Sequence, residues 1–202
     1  MNRSMEQLIN ETSQQLNIDQ DLLKLWLDQY VHIPINTVFN LLHLAQKYSL
    51  DPLSDEVAIT THLDGSYQAY ISIDGWSKLI NEHPQFGGIS LRESSELSEG
   101  IPNWIECTIY RHDRLIPVVI KEYLEEVKTE HPSWQRMPRR MLRHRVIQQC
   151  ARLAFGISAS DLFESKQTQV QQKRNTDATQ EDNNETKKKR TRSEILKEKL
   201  SV

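Results

Sequence analysis

The sequence of 202 residues lacks most of the features that mark secreted, metal-binding or membrane-spanning proteins. It contains only two cysteines, Cys107 and Cys150, which have no metal-binding spacing and are too few for a disulfide framework. No segment approaches the ~20 consecutive apolar residues needed to cross a bilayer. The first ten residues also lack the apolar stretch of a signal peptide. We therefore expect a cytoplasmic protein with no membrane contact, in which both thiols are reduced and packed.

Sequence motifs of the common enzyme classes are missing as well. The seven histidines form neither an HxxxH nor an HExxH pattern. There is no GxxxxGK[ST] loop for nucleotide hydrolysis and no GxSxG element for acyl transfer. We expect a protein that is not an enzyme, with no catalytic residue, no metal site and no nucleotide or other cofactor. The effect of divalent metal ions stays open.

One segment differs in charge from the rest of the chain. The chain as a whole is mildly acidic, with 28 acidic against 25 basic residues. Between His131 and Ser160 there is no Asp or Glu. Pro138 suits the first turn of a helix, and apolar residues follow it at helical spacing. The expected buried face consists of Leu142, Val146, Cys150, Leu153, Ala154 and Ile157. The sequence thus predicts a basic helix over residues 138–155.

The arginines of this segment are suited to phosphate. Arg139 and Arg140 fall in the first turn, where cations oppose the helix dipole unless an anion binds there. Arg145 and Arg152 are seven residues apart and share one flank, whereas Arg143 lies at the other edge. Trp134 could present a ring on which a base stacks. The alternative is a solvated basic face balanced by acidic neighbours.

The remaining pattern predicts an α+β fold with antiparallel β-hairpins packed on helices and a helical N-terminal segment. Asp19 is a candidate N-cap, and Asp74 is expected to cap the helix that follows the second strand. Trp26 could be core or a subunit contact. The expected elements are helical Met1 to Tyr30, helix Ile35 to Tyr48, strands Val57 to Leu63 and Tyr67 to Ile73, helix Trp76 to Glu82, a loop Pro84 to Gly100, strands Trp104 to Tyr110 and Ile116 to Ile120, and a short acidic helix Glu122 to Thr129.

Composition divides the chain into three parts. Residues 1–164 are expected to form one domain. Residues 165–186 have almost no large apolar side chains and are predicted to be a disordered linker. Residues 187–202 begin with the basic run KKKRTR and form a short basic tail with a helical pattern. That tail could bind phosphates, dock a partner protein or only keep the chain soluble.

Three separated blocks resemble one known family, the phage RecT/Bet single-strand annealing proteins, and are most similar to its Red-beta branch. The blocks are WQRMPRRMLRHRVIQQCARLAFG (134–156), SIDGWSKLINEHPQF (72–86) and CTIYRHDRLIP (107–117). The resemblance spans roughly residues 35–163. It implies a Rad52-like β-β-β-α core, oligomeric rings or helical filaments, and DNA contact at Arg111. It also implies that the domain of residues 1–164 carries DNA binding, annealing and oligomerisation. Asp55 and His112 depart from the family pattern, in which lysines are common at these positions.

The sequence and the resemblance together predict an ATP-independent protein of phage or prophage origin that anneals complementary single strands during recombination. Its partners would be single-stranded DNA, the annealed duplex intermediate and further copies of itself. A 5′–3′ exonuclease and a host single-strand-binding protein are expected at the C-terminal tail. The candidate DNA-binding residues are Arg111, Arg114, Trp134, Arg136, Arg139, Arg140, Arg143, His144, Arg145 and Arg152.

Two other functions remain compatible with the same residues. A sequence-specific duplex-DNA regulator could insert the basic helix 138–155 into a major groove, with Gln148 and Gln149 reading bases. A structural adaptor could use the tail to bind replication proteins while the basic helix lies inside an oligomer. Neither alternative requires a catalytic group.

Overall fold

The N-terminal helices form because each begins at a side-chain cap and buries one apolar face. The computed structural model of the protein describes residues 4–158, which fall within one compact unit, Met1–Ala159. Helix α1 (Met5–Leu16) starts at Ser4 in a reciprocal capping box with Gln7. Helix α2 (Gln20–Leu27) starts at Asp19, whose carboxylate accepts two backbone N–H bonds, which confirms that N-cap. A 3₁₀ turn, Asp28–Tyr30, follows.

Helix α3 (Ile35–Tyr48) joins the N-terminal helices to the first hairpin. On one side it packs against α1 and on the other against strands β1 (Val57–Thr61) and β2 (Tyr67–Ile71). A second 3₁₀ turn, Pro52–Ser54, lies between α3 and β1. The core shared by the first three helices consists of Leu8, Ile9, Leu23 and Leu42, with Trp26 packed against it. Both strands of the predicted hairpin are present. Trp26, which could have been core or a subunit contact, packs against the core.

Helix α4 (Ile73–Asn81) follows β2 directly, and Ser72 is its N-cap. The expectation that Asp74 caps this helix is wrong, because the Ser72 hydroxyl accepts from the Gly75 N–H at 3.1 Å. Gly75 cannot be replaced without rearrangement, since a Cβ there would lie 2.2 Å from the Glu56 carbonyl oxygen. Trp76 is buried behind this corner, as the strand-to-helix interpretation predicted.

The second half of the unit is a three-stranded antiparallel sheet in the order β3-β6-β7. Its strands are β3 (Phe86–Glu93), β6 (Trp104–Arg111) and β7 (Val118–Tyr123). A short hairpin connects β3 to β6. Its strands are β4 (Leu97–Ser98) and β5 (Ile101–Pro102), of two residues each. The prediction of a loop over Pro84 to Gly100 was wrong, because eight of these residues form the edge strand β3.

Three helices end the described chain: α5 (Leu124–Val127), α6 (Pro132–Arg136) and α7 (Pro138–Phe155). Helix α7 packs on β6 and β7 and buries Leu142, Val146, Cys150, Ala151 and Ala154. Leu153, expected in that buried face, is exposed. Three antiparallel strands followed by a helix on one face give the β-β-β-α arrangement, and the α+β class is confirmed. The predicted linker and tail, residues 165–202, lie outside the described residues.

Candidate nucleic-acid interface

Helix α7 begins without a side-chain cap. Pro138 occupies the first helical position, and the preceding Met137 contributes no capping hydrogen bond. The first turn contains no acidic residue, and both Arg139 and Arg140 are exposed there. Backbone N–H groups and guanidinium groups therefore converge at one end of the helix, which is an arrangement that attracts anions.

We call the four arginines at this end of α7 the arginine cluster: Arg136, Arg139, Arg140 and Arg143. Arg136 is exposed at the end of α6, and the Arg140 Nη1 atom lies 3.5 Å from the Met137 sulfur. Arg143 is partly buried. Consecutive members of the cluster are no more than three positions apart in the sequence.

One carboxylate enters the arginine cluster from the sheet. Glu93, at the end of β3, forms ion pairs with Arg139 and with Arg143, the latter at 3.1 Å between Nη2 and Oε1. Hydrogen bonding from Arg139, and then from Arg143, lowers the pKa of the Glu93 carboxyl below its usual value. Glu93 is thus ionised at neutral pH and offsets part of the positive charge of Arg139 and Arg143.

The other arginines of α7 lie on a different flank. Arg145 and Arg152 project roughly 160–180° away from Arg143 around the helix, at about 100° per residue. Both are partly buried, and the Arg145 Nε atom is withdrawn from solvent. The Arg152 Nη1 atom lies 3.3 Å from the Gln149 side-chain oxygen. The structure therefore separates the predicted arginines into a mostly exposed set at the N-terminal end and a partly buried pair farther along.

His144 lies between these two sets and stays uncharged at neutral pH. Burial lowers the pKa of its imidazole, and the neighbouring Arg140 and Arg143 lower it further. Asp74, at the start of α4, has the opposite effect on that pKa. His144 can therefore offer a hydrogen bond to a ligand, but it does not add positive charge to the arginine cluster at pH 7.

Trp134 does not offer the stacking surface that the sequence suggested. Its side chain is 1 % exposed and belongs to the core, where short helix α6 packs against α7. A ring enclosed on both faces cannot receive a base. The expectation of base stacking at Trp134 was wrong, because the tryptophan anchors the basic segment to the rest of the unit.

Arg111, the last residue of β6, and Arg114, in the connection to β7, have different environments. Arg111 is only 12 % exposed and makes a two-bond contact with the Asp113 carboxylate, at 2.8 Å and 2.6 Å. Its third nitrogen donates to the Ala154 carbonyl oxygen near the end of α7, and the guanidinium lies 5.7 Å from the centre of the Phe155 ring. Arg111 therefore joins the hairpin to α7 and is not presented to phosphate. Arg114 is exposed.

Strand β3 adds an apolar surface that the sequence analysis missed. Ile89 and Leu91 alternate with Glu93 on the face of the sheet that bears α7, and both are exposed. They remain exposed because α7 packs mainly on β6 and β7. The alternating pattern was present in the sequence, but the neighbouring Gly87-Gly88 pair and the acidic stretch that follows favoured a loop.

The opposite face of the sheet carries its own charges. Glu106 on β6 lies between Arg92 on β3 and Lys121 on β7, at 2.8 Å and 3.7 Å. Trp104 lies on the same face, with the Lys121 ammonium 4.2 Å from its ring centre. Arg92 and Lys121 are both paired with Glu106 on the strand between them. Substitutions at these two residues are therefore a suitable control for substitutions in the arginine cluster.

The two buried thiols lie between α7 and the sheet. The Cys150 sulfur is 3.4 Å from the carbonyl oxygens of Cys107 and of Val118. Hydrogen bonding with the neighbouring Cys150 thiol, and then burial, raises the pKa of Cys107. Both are free cysteines, which confirms the expected packing role. Among residues 4–158, no group of three or more His, Cys, Asp or Glu side chains is placed to hold a metal ion. None of the described helices has the length and hydrophobicity to span a bilayer.

Comparisons with known proteins agree with the resemblance of the three sequence blocks. A family model described as the RecT family matches residues 11–189. Over 128 residues the chain is 34 % identical to "Recombination protein bet" of Escherichia phage lambda. That match covers 58 % of this chain and 46 % of the relative, so the chain spans about half the length of this curated relative.

Proposed function

Because the chain belongs to the RecT family, we propose that it binds single-stranded DNA at the arginine cluster and anneals complementary strands in recombination. The observation that carries the proposal is the concentration of four arginines beside the uncapped end of α7, of which Arg139 and Arg143 pair with the Glu93 carboxylate. This local charge stands out from a chain of formal net charge −3.

The proposed mechanism uses charge neutralisation for affinity and base pairing for specificity. Phosphates replace or share the Glu93 carboxylate on Arg139 and Arg143, while the exposed Ile89 and Leu91 lie beside them for sugars or bases. Release of counterions supplies affinity that is independent of sequence and sensitive to salt. A second strand then tests the bases by pairing, so no protein side chain has to read them. Duplex formation is downhill, and no nucleotide is hydrolysed.

The exposure of α7 favours this mechanism over insertion of the helix into duplex DNA. A major-groove helix needs a continuous exposed face from which side chains reach base edges. In α7 only Arg139, Arg140 and Leu153 are exposed. Gln148 and Gln149, the candidate base-reading residues, are partly buried. A strand that lies beside the end of the helix needs no such face.

Annealing over many nucleotides also requires several subunits. We propose a homo-oligomer, as a ring or helical filament, with the N-terminal helices among the contact elements. A 5′–3′ exonuclease and a host single-strand-binding protein are the proposed partners of the C-terminal tail. Residues 165–202 carry that part of the proposal, and they lie outside the described residues.

The double substitution Arg139→Gln/Arg140→Gln tests the proposed site. We expect affinity for a single-stranded oligonucleotide to fall by about tenfold or more, which corresponds to ~1.4 kcal/mol. The slope of log affinity against log salt should become shallower by about 1.4, since each lost phosphate contact removes roughly 0.7 on single strands. Fluorescence anisotropy with a labelled oligonucleotide, titrated over a range of salt concentrations, gives both values.

Arg92→Gln/Lys121→Gln is the matched control, because it removes two cations from the opposite face of the sheet. This control should leave the salt slope nearly unchanged. Annealing is measured with two complementary oligonucleotides added one after the other, without any nucleotide, and with a non-complementary pair for comparison. Equal losses in both double variants would refute the site, and preference for one preformed duplex sequence would favour the regulator.

A further inference from the structure

The connection between β6 and β7 ends in two apolar side chains that contact almost nothing. Leu115 is fully exposed and Ile116 is 81 % exposed. The loop that carries them is held at its base, because Arg111 binds Asp113 inside the loop and the Ala154 carbonyl on α7. We call residues 114–116 the hairpin tip. A positioned loop with an apolar end is suited to insertion into a complementary surface.

The N-terminal helices present an apolar groove of about 300 Å³. We call it the N-terminal groove; Val31 and Ile35 at its rim are exposed. Asp28 and Lys24 contribute the charged part of the wall, and Lys24 lies 3.6 Å from Asp21 in an ion pair. The apolar lining is formed by Met5, Ile9, Leu27, Val31, Ile33, Ile35 and Val38.

We propose that the hairpin tip of one copy of this chain inserts into the N-terminal groove of a second copy. Both surfaces are apolar, and the charge beside each is complementary, with Arg114 next to the exposed Leu115 and Asp28 in the groove wall. The exposure of the tip shows that it does not occupy the groove of its own chain.

A contact between two different surfaces has a direct consequence for assembly. Each copy that donates its tip still has an open groove, and each copy that accepts a tip still has a free tip. Such a head-to-tail contact repeats until it closes into a ring or extends as a helical filament. The inference rests on the proposed annealing function, which requires several subunits. The assembly itself can be measured without DNA.

Two substitution pairs remove one surface each. Leu115→Ser/Ile116→Ser removes the apolar tip, and Val31→Ser/Ile35→Ser removes the apolar rim of the groove. All four side chains are exposed, so thermal unfolding should be unchanged in both. Leu63→Ser/Leu97→Ser, at two other exposed leucines, is the matched control. Mass photometry of the full-length chain, alone and with single-stranded DNA, reports the distribution of assembly sizes.

We expect the parent and the control to form large assemblies, and the tip and groove variants to remain monomeric by themselves. Mixed in equal amounts, the two defective variants retain one intact tip and one intact groove between them, so the mixture should form dimers and stop there. Arg114→Glu should also reduce assembly, and adding Asp28→Lys should restore it.

Three results would overturn the inference: a monomeric parent under both conditions, defective variants that assemble like the parent, or a mixture that stays monomeric. Anisotropy with a short oligonucleotide separates this inference from the proposed function. Loss of assembly with retained binding of a short strand supports the tip contact. Normal assembly together with normal annealing in the variants would refute the tip contact but not the proposed annealing function.

Discussion

Glu93 is the residue that most changes the charge around α7. The segment from His131 to Ser160 contains no acidic side chain of its own, yet a carboxylate from the distant strand β3 pairs with Arg139 and Arg143. The carboxylate orients the two guanidinium groups and also competes with any phosphate for them. Exposed ion pairs of this kind contribute roughly 0.2–1 kcal/mol, so the competition is modest and can be measured.

Replacing Glu93 by Gln should therefore strengthen binding of single-stranded DNA. We expect an increase of up to about fivefold, which is equivalent to ~1 kcal/mol, together with a steeper dependence on salt. The pKa of Glu93 lies below its usual value, so the carboxylate stays ionised and competes throughout the range from pH 8 to pH 5.5. Fluorescence anisotropy at several salt concentrations measures the change.

Glu106→Gln is the control for that prediction, because Glu106 also bridges two cations but does so on the opposite face of the sheet. It should leave affinity for single-stranded DNA unchanged or nearly so. An unchanged affinity in the Glu93 variant, or an equal increase in the two variants, would show that the arginine cluster is not where phosphate binds.

At the scale of secondary-structure elements, the sequence predicted those elements whose signals are local. Helix α3 has a regular apolar stripe, β1 and β2 flank an Asp-Gly turn, and α7 begins at a proline. Strand β3 was missed because the Gly87-Gly88 pair and the acidic stretch that follows outweighed its short apolar alternation, although the strand pairs with β6 along its length. The pairing matters for the site, since it brings Glu93, Ile89 and Leu91 beside α7.

The placement of single side chains was harder to predict than the elements that carry them. Trp134 and the arginine cluster are neighbours in sequence, but the tryptophan is buried and most of the arginines are exposed. Helical spacing shows which side chains share a face of the helix, but it does not show which of those faces packs against the core. Arg111 was expected to contact DNA for its family resemblance and basic surroundings, whereas the fold directs it to the carbonyl end of α7.

Arg111→Gln should destabilise the protein at the junction of the hairpin and α7. It removes hydrogen bonds to the Asp113 carboxylate and to the Ala154 carbonyl from a largely buried side chain. Loss of these charged hydrogen bonds should lower the midpoint of thermal unfolding by several degrees. Differential scanning fluorimetry measures the shift.

Arg114→Gln, three residues away and exposed, provides the comparison and should leave the unfolding temperature unchanged. If both substitutions behave alike, the hairpin is not attached to α7 through Arg111. The same Arg111 variant should also reduce assembly, because a loosened hairpin tip loses part of the advantage of its fixed position.

At the scale of the whole molecule, the proposed surfaces lie on different parts of one unit. The arginine cluster is at the end of α7, the hairpin tip is between β6 and β7, and the N-terminal groove is formed by the first helices. All three fall within residues 4–158. The family match extends to residue 189, and the segment beyond Ser165 carries ten lysines and arginines against six aspartates and glutamates.

A chain that ends at Ser165 should consequently still anneal complementary oligonucleotides. Removing the net positive tail should weaken binding at low salt, where sequence-independent attraction is strongest, and have little effect on annealing at moderate salt. Replacing Lys187, Lys188, Lys189 and Arg190 by Gln in the full chain separates the charge of the tail from its length. Annealing is followed by fluorescence quenching between labelled strands, and assembly by mass photometry.

If truncation abolishes annealing while the charge-neutral tail retains it, the C-terminal segment takes part in the core activity, and the surfaces within residues 4–158 are not sufficient for it. If both variants anneal at the parental rate, the tail is free to serve a partner protein.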